Sequence, residues 1–218
     1  MGACTRRIAP ASPGTKAAGL GSGRVGHTAW CTPSPRRGRS LTSHPLTGVL
    51  LVGGASERFG SPKALARLAD ETLAERAWRI LGEACKERVA VGKRRDGLAL
   101  PFPLLDDGTD TRAALAGIVA GIRAAETELA VVLPVDAPRV TPELLHELAD
   151  ACTDAAAPEA SPLPAAFRRN ALPVLEHRLK EQRLALHELL GELRAVRLPV
   201  DVALLTNVNT PDELRRLG

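Results

Sequence analysis

Apolar positions along this chain follow two rhythms. Short unbroken runs, Leu46-Thr47-Gly48-Val49-Leu50-Leu51-Val52, Arg88-Val89-Ala90-Val91 and Leu129-Ala130-Val131-Val132-Leu133, read as strands, the last as one buried on both faces. Between them, apolar residues recur every three or four positions. Leu73, Ala77, Ile80, Leu81 and Ala84 predict a helix opened by a capping box at Thr72 and Glu75, and Leu115, Ile118, Val119 and Ile122 predict a second. Thr141-Pro142-Glu143 supplies an N-cap, a first-turn proline and a first-turn acid ahead of Leu144, Leu145 and Leu148; Thr210-Pro211-Asp212-Glu213 repeats that arrangement. Phe102-Pro103-Leu104-Leu105 reads as a short strand running into Asp106-Asp107-Gly108. Residues 161–206 read as a polar, basic stretch, two Leu-rich helical segments and a last strand from Val196 to Val200. This alternation predicts an α/β domain over residues 47–218, a doubly wound and mostly parallel sheet. In such sheets ligands bind at the carboxyl ends of the strands, which gathers the Gly-rich segment after Val52, Asp107 and Asp136 at one edge.

Charge divides the chain differently. Residues 1–46 carry seven Lys and Arg and no acid, whereas the whole chain has a formal charge of +4, so the remainder is net acidic at −3. The basic segment is also rich in Gly and Pro and has no apolar periodicity, which predicts a disordered tail or a reading frame opened too far upstream, with the working protein starting near Leu41 or Leu46. Its Gly21-Ser22-Gly23-Arg24-Val25-Gly26 has the spacing of a dinucleotide loop but neither the strand nor the helix that loop needs. Two Trp, three Phe and no Tyr leave almost no stacking platforms for single-stranded nucleic acid. Cys4, Cys31, Cys85 and Cys152 are scattered without a Cys-x-x-Cys pair, so reduced thiols are expected. No run of eighteen apolar residues occurs, no membrane partner is implied, and the expected compartment is the cytoplasm.

The segment Leu51-Val52-Gly53-Gly54-Ala55-Ser56-Glu57-Arg58-Phe59-Gly60-Ser61-Pro62-Lys63-Ala64-Leu65 carries the chemistry. A strand feeds paired glycines whose backbone N–H groups can close on an anion, and Arg58 and Lys63 supply positive charge. It is no Walker A loop, because Lys63 follows Pro62 and no Gly-Lys-Ser/Thr is present. Such a loop suits a nucleoside triphosphate. Asp136 closes an otherwise apolar strand, where a carboxylate is costly to bury without a cation, which makes it the candidate Mg²⁺ ligand; a turn-capping aspartate is the plainer alternative. Asp107 is a candidate nucleotide contact or simply a turn residue beside Gly108.

The fixed positions from Leu51 to Leu65 match the signature Leu-x-Gly-Gly-x-Ser-x-Arg-x-Gly-x-x-Lys-x-Leu, and the chain resembles the nucleotidyltransferases of that pattern. Further matches at Leu115-Ala116-Gly117-Ile118, Pro134-Val135-Asp136-Ala137-Pro138, Pro162-Leu163-Pro164-Ala165 with Arg168, and Asn207-Val208-Asn209-Thr210-Pro211 narrow the resemblance to the MobA-like molybdenum cofactor guanylyltransferases over residues 47–218. The resemblance implies a Rossmann-like nucleotidyltransferase fold and transfer of GMP from GTP to the phosphate of molybdopterin, with Mg²⁺ as cofactor. Molybdoenzymes or cofactor-delivery proteins are the implied further partners. It implies that Leu51, Val52, Gly53, Gly54, Ser56, Lys63 and Asp107 contact GTP, that Arg58, Lys63 and Asp136 carry catalysis, that Asp136 holds the metal, and that Arg168, Asn207 and Asn209 face the pterin. Three positions depart from the family. Gly92 stands where an Asn usually meets the nucleotide, Ala113-Ala114 replaces Gly-Pro, and Ser161 replaces a frequent His. The first leaves guanine against cytosine open. A cytidylyltransferase, a sugar-phosphate nucleotidyltransferase and a non-catalytic nucleotide-binding relative remain the alternatives.

Overall fold

The computed structural model describes residues 45–53 and 62–217, so the expectations placed on residues 1–44 and on Gly54, Ser56 and Arg58 lie outside the described residues. In chain order the elements are β1 (Leu46–Leu51), the short pair β2 (Arg67–Leu68) and β3 (Glu71–Thr72), α1 (Leu73–Ala84), β4 (Glu87–Gly92), β5 (Leu104–Asp106), α2 (Ala114–Ala124), β6 (Leu129–Pro134) and α3 (Pro142–Ala151). There follow β7 (Ala155–Pro158), β8 (Ala165–Arg168), α4 (Leu172–Lys180), α5 (Leu186–Glu192), β9 (Val196–Leu198) and α6 (Pro211–Arg215). Seven strands form one sheet in the order β5-β4-β1-β6-β8-β7-β9, and only β8 runs against the rest. Among the described residues no helix is long and apolar enough to cross a membrane.

The helix starts form for the reasons their sequences give. Thr72 accepts from the Glu75 N–H while the Glu75 carboxylate accepts from the Thr72 N–H, and Thr210 with Glu213 does the same for α6. Thr141 caps α3 with Pro142 at its first position. Every residue of β1 is buried. Leu46, Leu50 and Val52 pack in a core with α1 and α3, whereas Val49 and Leu51 pack in a second core with α2 and α4. Buried Thr47 is satisfied by the Thr127 hydroxyl at 2.8 Å, which itself donates to the Leu129 carbonyl. Cys85 and Cys152 are free and buried, and burial pushes their thiols up to about 12 and about 11. That keeps both protonated and unreactive.

Three strand expectations change. Residues 155–158 and 165–168, the second set read as part of a polar stretch, are the buried strands β7 and β8; their alanines carry no β signal, and burial alone makes them strands. The strand predicted from Phe102 begins at Leu104, because Phe102 instead stacks on Trp78 with ring centroids 4.3 Å apart. The last strand stops at Leu198.

The close fit of α2 on β1 depends on missing side chains. A Cβ on Gly121 would lie 2.3 Å from Val49 Cγ1, and one on Gly117 would lie 2.7 Å from Leu51 Cδ2. Gly121→Val is therefore expected to destabilise the fold by about 1–3 kcal/mol through overpacking. At Gly191 in α5 nothing lies within 4 Å of an added Cβ, and Gly191→Ala should stabilise by about 0.5–1 kcal/mol. Urea unfolding midpoints of the two variants check both signs; a neutral Gly121→Val would show that α2 is free to shift.

Candidate active site

Four parallel strands deliver their carboxyl ends to one edge of the sheet. The chain beyond each strand is stitched to its neighbour: the Val52 N–H donates to the Val91 carbonyl at 3.0 Å, Val135 N–H to the Leu51 carbonyl at 3.0 Å, and Asp107 N–H to the Gly92 carbonyl at 3.1 Å. Hence Gly53, Lys93, Asp107 and Asp136, each just past a strand end, occupy one rim. Leu51 and Val52 are buried, while Gly53 is exposed.

Two cavities open there. The first, of 240 Å³, is lined by Leu51, Gly53, Gly92, Lys93, Asp107 and Arg112 among others. The second, of 280 Å³, is lined by Lys63, Asp136, Ser161, Leu163 and Asn207 among others. Leu51, Gly53 and Ala114 line both, so the cavities share a wall. Ala114 is the first residue of α2, whose N-cap Ala113 has no side chain able to bind the N–H groups of Ala114 and Leu115, the Ala116 N–H being already donated to the Ala113 carbonyl. Those N–H groups and the helix dipole favour an anion at the shared wall.

Each cavity has an ion pair of which both members line it, and these two pairs differ in burial. In the first, Lys93 Nζ lies 2.6 Å from Asp107 Oδ1, both side chains 6% exposed, and also donates to the Thr109 carbonyl. In the second, Lys63 Nζ lies 3.1 Å from Asp136 Oδ2 and donates to Asn209 Oδ1 at 3.0 Å, with side-chain exposures of 15% and 25% for the pair. The Asp136 backbone is held as well, its carbonyl accepting from the Val208 N–H at 2.8 Å. Beside the first cavity, Asp106 accepts from the Arg94 and Gly108 N–H groups, which hold its carboxyl below the usual range.

The site therefore gathers Leu51, Val52, Gly53, Lys63, Asp107, Asp136 and Asn207, with Asn209 bound to Lys63. Arg168 is a correction. Because β8 is reversed, Arg168 pairs with Leu129, the first residue of β6, and so lies at the amino end of that strand, five steps or roughly 17 Å of strand from Pro134. There its Nε donates to the Cys152 carbonyl at 3.4 Å, far from the pterin-facing place expected for it. Ser161 is closed on its own turn, donating to the Leu163 carbonyl at 2.6 Å and accepting from the Leu163 N–H. Sequence reasoning missed Lys93 and Arg112; a basic residue directly after the carboxyl end of β4 was the available signal for the former.

Comparison with known proteins agrees with this geometry. The MobA-like NTP transferase domain matches residues 48–197. A probable molybdenum cofactor guanylyltransferase of Chloroflexus aggregans is 34% identical over 194 residues, covering 78% of this chain and 92% of the relative. A protein of the same description from Bacillus mycoides is 30% identical over 95 residues, 41% of this chain and about half (48%) of that protein's length. The crystal structure of molybdopterin-guanine dinucleotide biosynthesis protein A from Archaeoglobus fulgidus superposes with a TM-score of 0.68 at 28% identity, covering 78% of this chain and 96% of that one. With its strand order, its paired cavities and the match across residues 48–197, the chain belongs to the MobA-like NTP transferase family.

Proposed function

We propose that this protein transfers GMP from GTP to the phosphate of molybdopterin and releases pyrophosphate, giving the guanine dinucleotide form of the cofactor. The observation that carries this reading is the shared wall: two cavities meet at Leu51, Gly53 and Ala114, with Lys63 and Asp136 lining the second. The nucleoside lies in the first cavity and the acceptor in the second, so the reacting phosphates meet between them. The descriptions of the relatives favour molybdopterin over a sugar phosphate as that acceptor.

In the transfer, an oxygen of the acceptor phosphate forms a bond to the α-phosphorus of GTP. The bond from that phosphorus to the bridging oxygen breaks, and pyrophosphate leaves with the electron pair. Little proton transfer is required, so the protein's contribution is positioning and charge. The first-turn N–H groups of α2 and the Lys63 ammonium stabilise the negative charge on the phosphate oxygens. Asn209 keeps that ammonium directed at the Asp136 side of the wall.

Asp136 suits Mg²⁺. It offers a hard carboxylate, and among the described residues only its Oδ2 is engaged and no group of three or more His, Cys, Asp or Glu forms a protein-only cage. That donor set fits an ion held by one carboxylate and by substrate phosphates. When bound there, the ion supplies Lewis-acid screening of the phosphate charge.

Pyrophosphate release with Mg²⁺ and molybdopterin, compared across GTP, CTP, ATP and UTP, tests the reading: release with GTP alone is expected, and silence with GTP would overturn it. Asp136→Asn keeps the shape and removes the charge, so kcat/KM should fall by about 10³-fold or more while the unfolding midpoint holds. Lys63→Met should cost about 10²–10³-fold, the range for losing one charge-stabilising donor. Steady-state kinetics beside circular dichroism separates these losses from misfolding.

A further inference from the structure

Lys93 is an unexpected residue in the first cavity. Its side chain is 6% exposed, and an ammonium that dry is costly unless paired. It is paired, with Asp107 Oδ1 at 2.6 Å and with the Thr109 carbonyl, which accounts for two of its three protons. The Asp107 carboxylate is used on one side only. Oδ1 accepts from Lys93 Nζ and, at 3.2 Å, from the Thr109 N–H, while Oδ2 has no partner among the described residues. Both residues line the cavity. The remaining polar capacity of the pair is therefore one ammonium donor beside one carboxylate oxygen with two acceptor sites.

That order of donor and acceptors selects one base. Guanine presents an acceptor, O6, next to the N1–H donor and the N2 amine. Adenine places an amine where guanine has O6 and has no second donor beside it; cytosine follows one donor with two acceptors; uracil has a single N–H between two acceptors. Only guanine meets an ammonium and a two-site carboxylate oxygen along one edge without an opposed donor pair or acceptor pair. We propose that the buried Lys93–Asp107 pair imitates the pairing edge of cytosine, with Lys93 as the specificity-determining donor to purine O6 and Asp107 Oδ2 as the acceptor for N1–H and the amine. The proposal rests on the nucleotide-first reading of this cavity, and it supplies from Lys93 the side-chain hydrogen bond that Gly92 cannot make. At Gly92 a Cβ would lie 2.9 Å from Val52 Cγ2, so with Val52 placed as it is that position is filled by its neighbour.

A strap that merely closes the 107–109 turn would weaken all nucleotides alike, so the readout is a ratio of affinities, measured by calorimetry with Mg²⁺ and no acceptor. For the wild-type protein, GTP should bind at least tenfold more tightly than inosine triphosphate, which lacks the amine, and than 6-thioguanosine triphosphate, which keeps N1–H and the amine but has a poorly accepting sulfur in place of O6. In Lys93→Met the penalty for replacing O6 by sulfur should disappear, and the preference for GTP over ATP should fall by tenfold or more. Equal ratios in wild type and variant would overturn the assignment even if GTP is the nucleotide consumed in the transfer reaction. Should Lys93→Met fail to fold, the wild-type analogue series decides alone, and indifference to both changes would overturn the proposal. A guanine preference governed by O6 and the amine, in a protein that releases no pyrophosphate with molybdopterin, would sustain this inference and remove the transferase reading; absence of nucleotide binding would remove both.

Discussion

The level at which four parallel strands end constrains everything else in this molecule. The β1–β6 register carries Leu51 to Pro134, the β4–β5 register carries Gly92 to Asp106, and backbone hydrogen bonds continue that pairing one residue past the strands. A residue placed just beyond any of these strands is thereby placed on a common rim. The rim costs little to build, because β1 is buried on both faces and two apolar cores fix its height. Shape at the rim depends on small residues: α2 approaches β1 closely only because Gly117 and Gly121 carry no side chain, and that approach brings the bare first turn of α2 to the wall between the cavities.

The two ion pairs differ most in their burial. Lys93–Asp107 is nearly dry, held also by Thr109, and suited to fixed recognition, because moving either charge would leave the other buried and uncompensated. Lys63–Asp136 is wetter and longer, with Asn209 as a third partner, and its charges exchange partners at lower cost when phosphates and a cation arrive. On the proposed reading, specificity and chemistry sit on opposite sides of one wall. The segment 207–209 ties the second cavity together, since Asn207 lines it, Val208 binds the Asp136 backbone and Asn209 binds Lys63.

Much of the sheet and part of the site were legible in the sequence because the signals were local. The run from Leu46 to Val52, the capping boxes at Thr72 and Thr210, and the Thr141-Pro142 start each depend on neighbouring residues, and they form where expected. Asp107 and Asp136 reach the rim because each follows a recognisable strand. Arg168 does not, because its position depends on the direction of β8, which a four-residue alanine-rich strand does not declare. Lys93 was hidden for a related reason: pairing it with Asp107 requires the β4–β5 register, a contact between residues fourteen apart. Membership of the family came from motif spacing, whereas the contrast between the two ion pairs came only from burial.

The central claim is that the nucleoside and the acceptor occupy separate cavities on either side of the wall formed by Leu51, Gly53 and Ala114. A crystal structure with Mg²⁺ and a GTP analogue carrying a non-transferable α,β-methylene bridge tests it directly. The account predicts the base against Lys93 and Asp107, the α-phosphate at the first turn of α2, and the cation on Asp136. A base seated instead against Ser161 and Asn207, with Lys93 and Asp107 untouched, would contradict it.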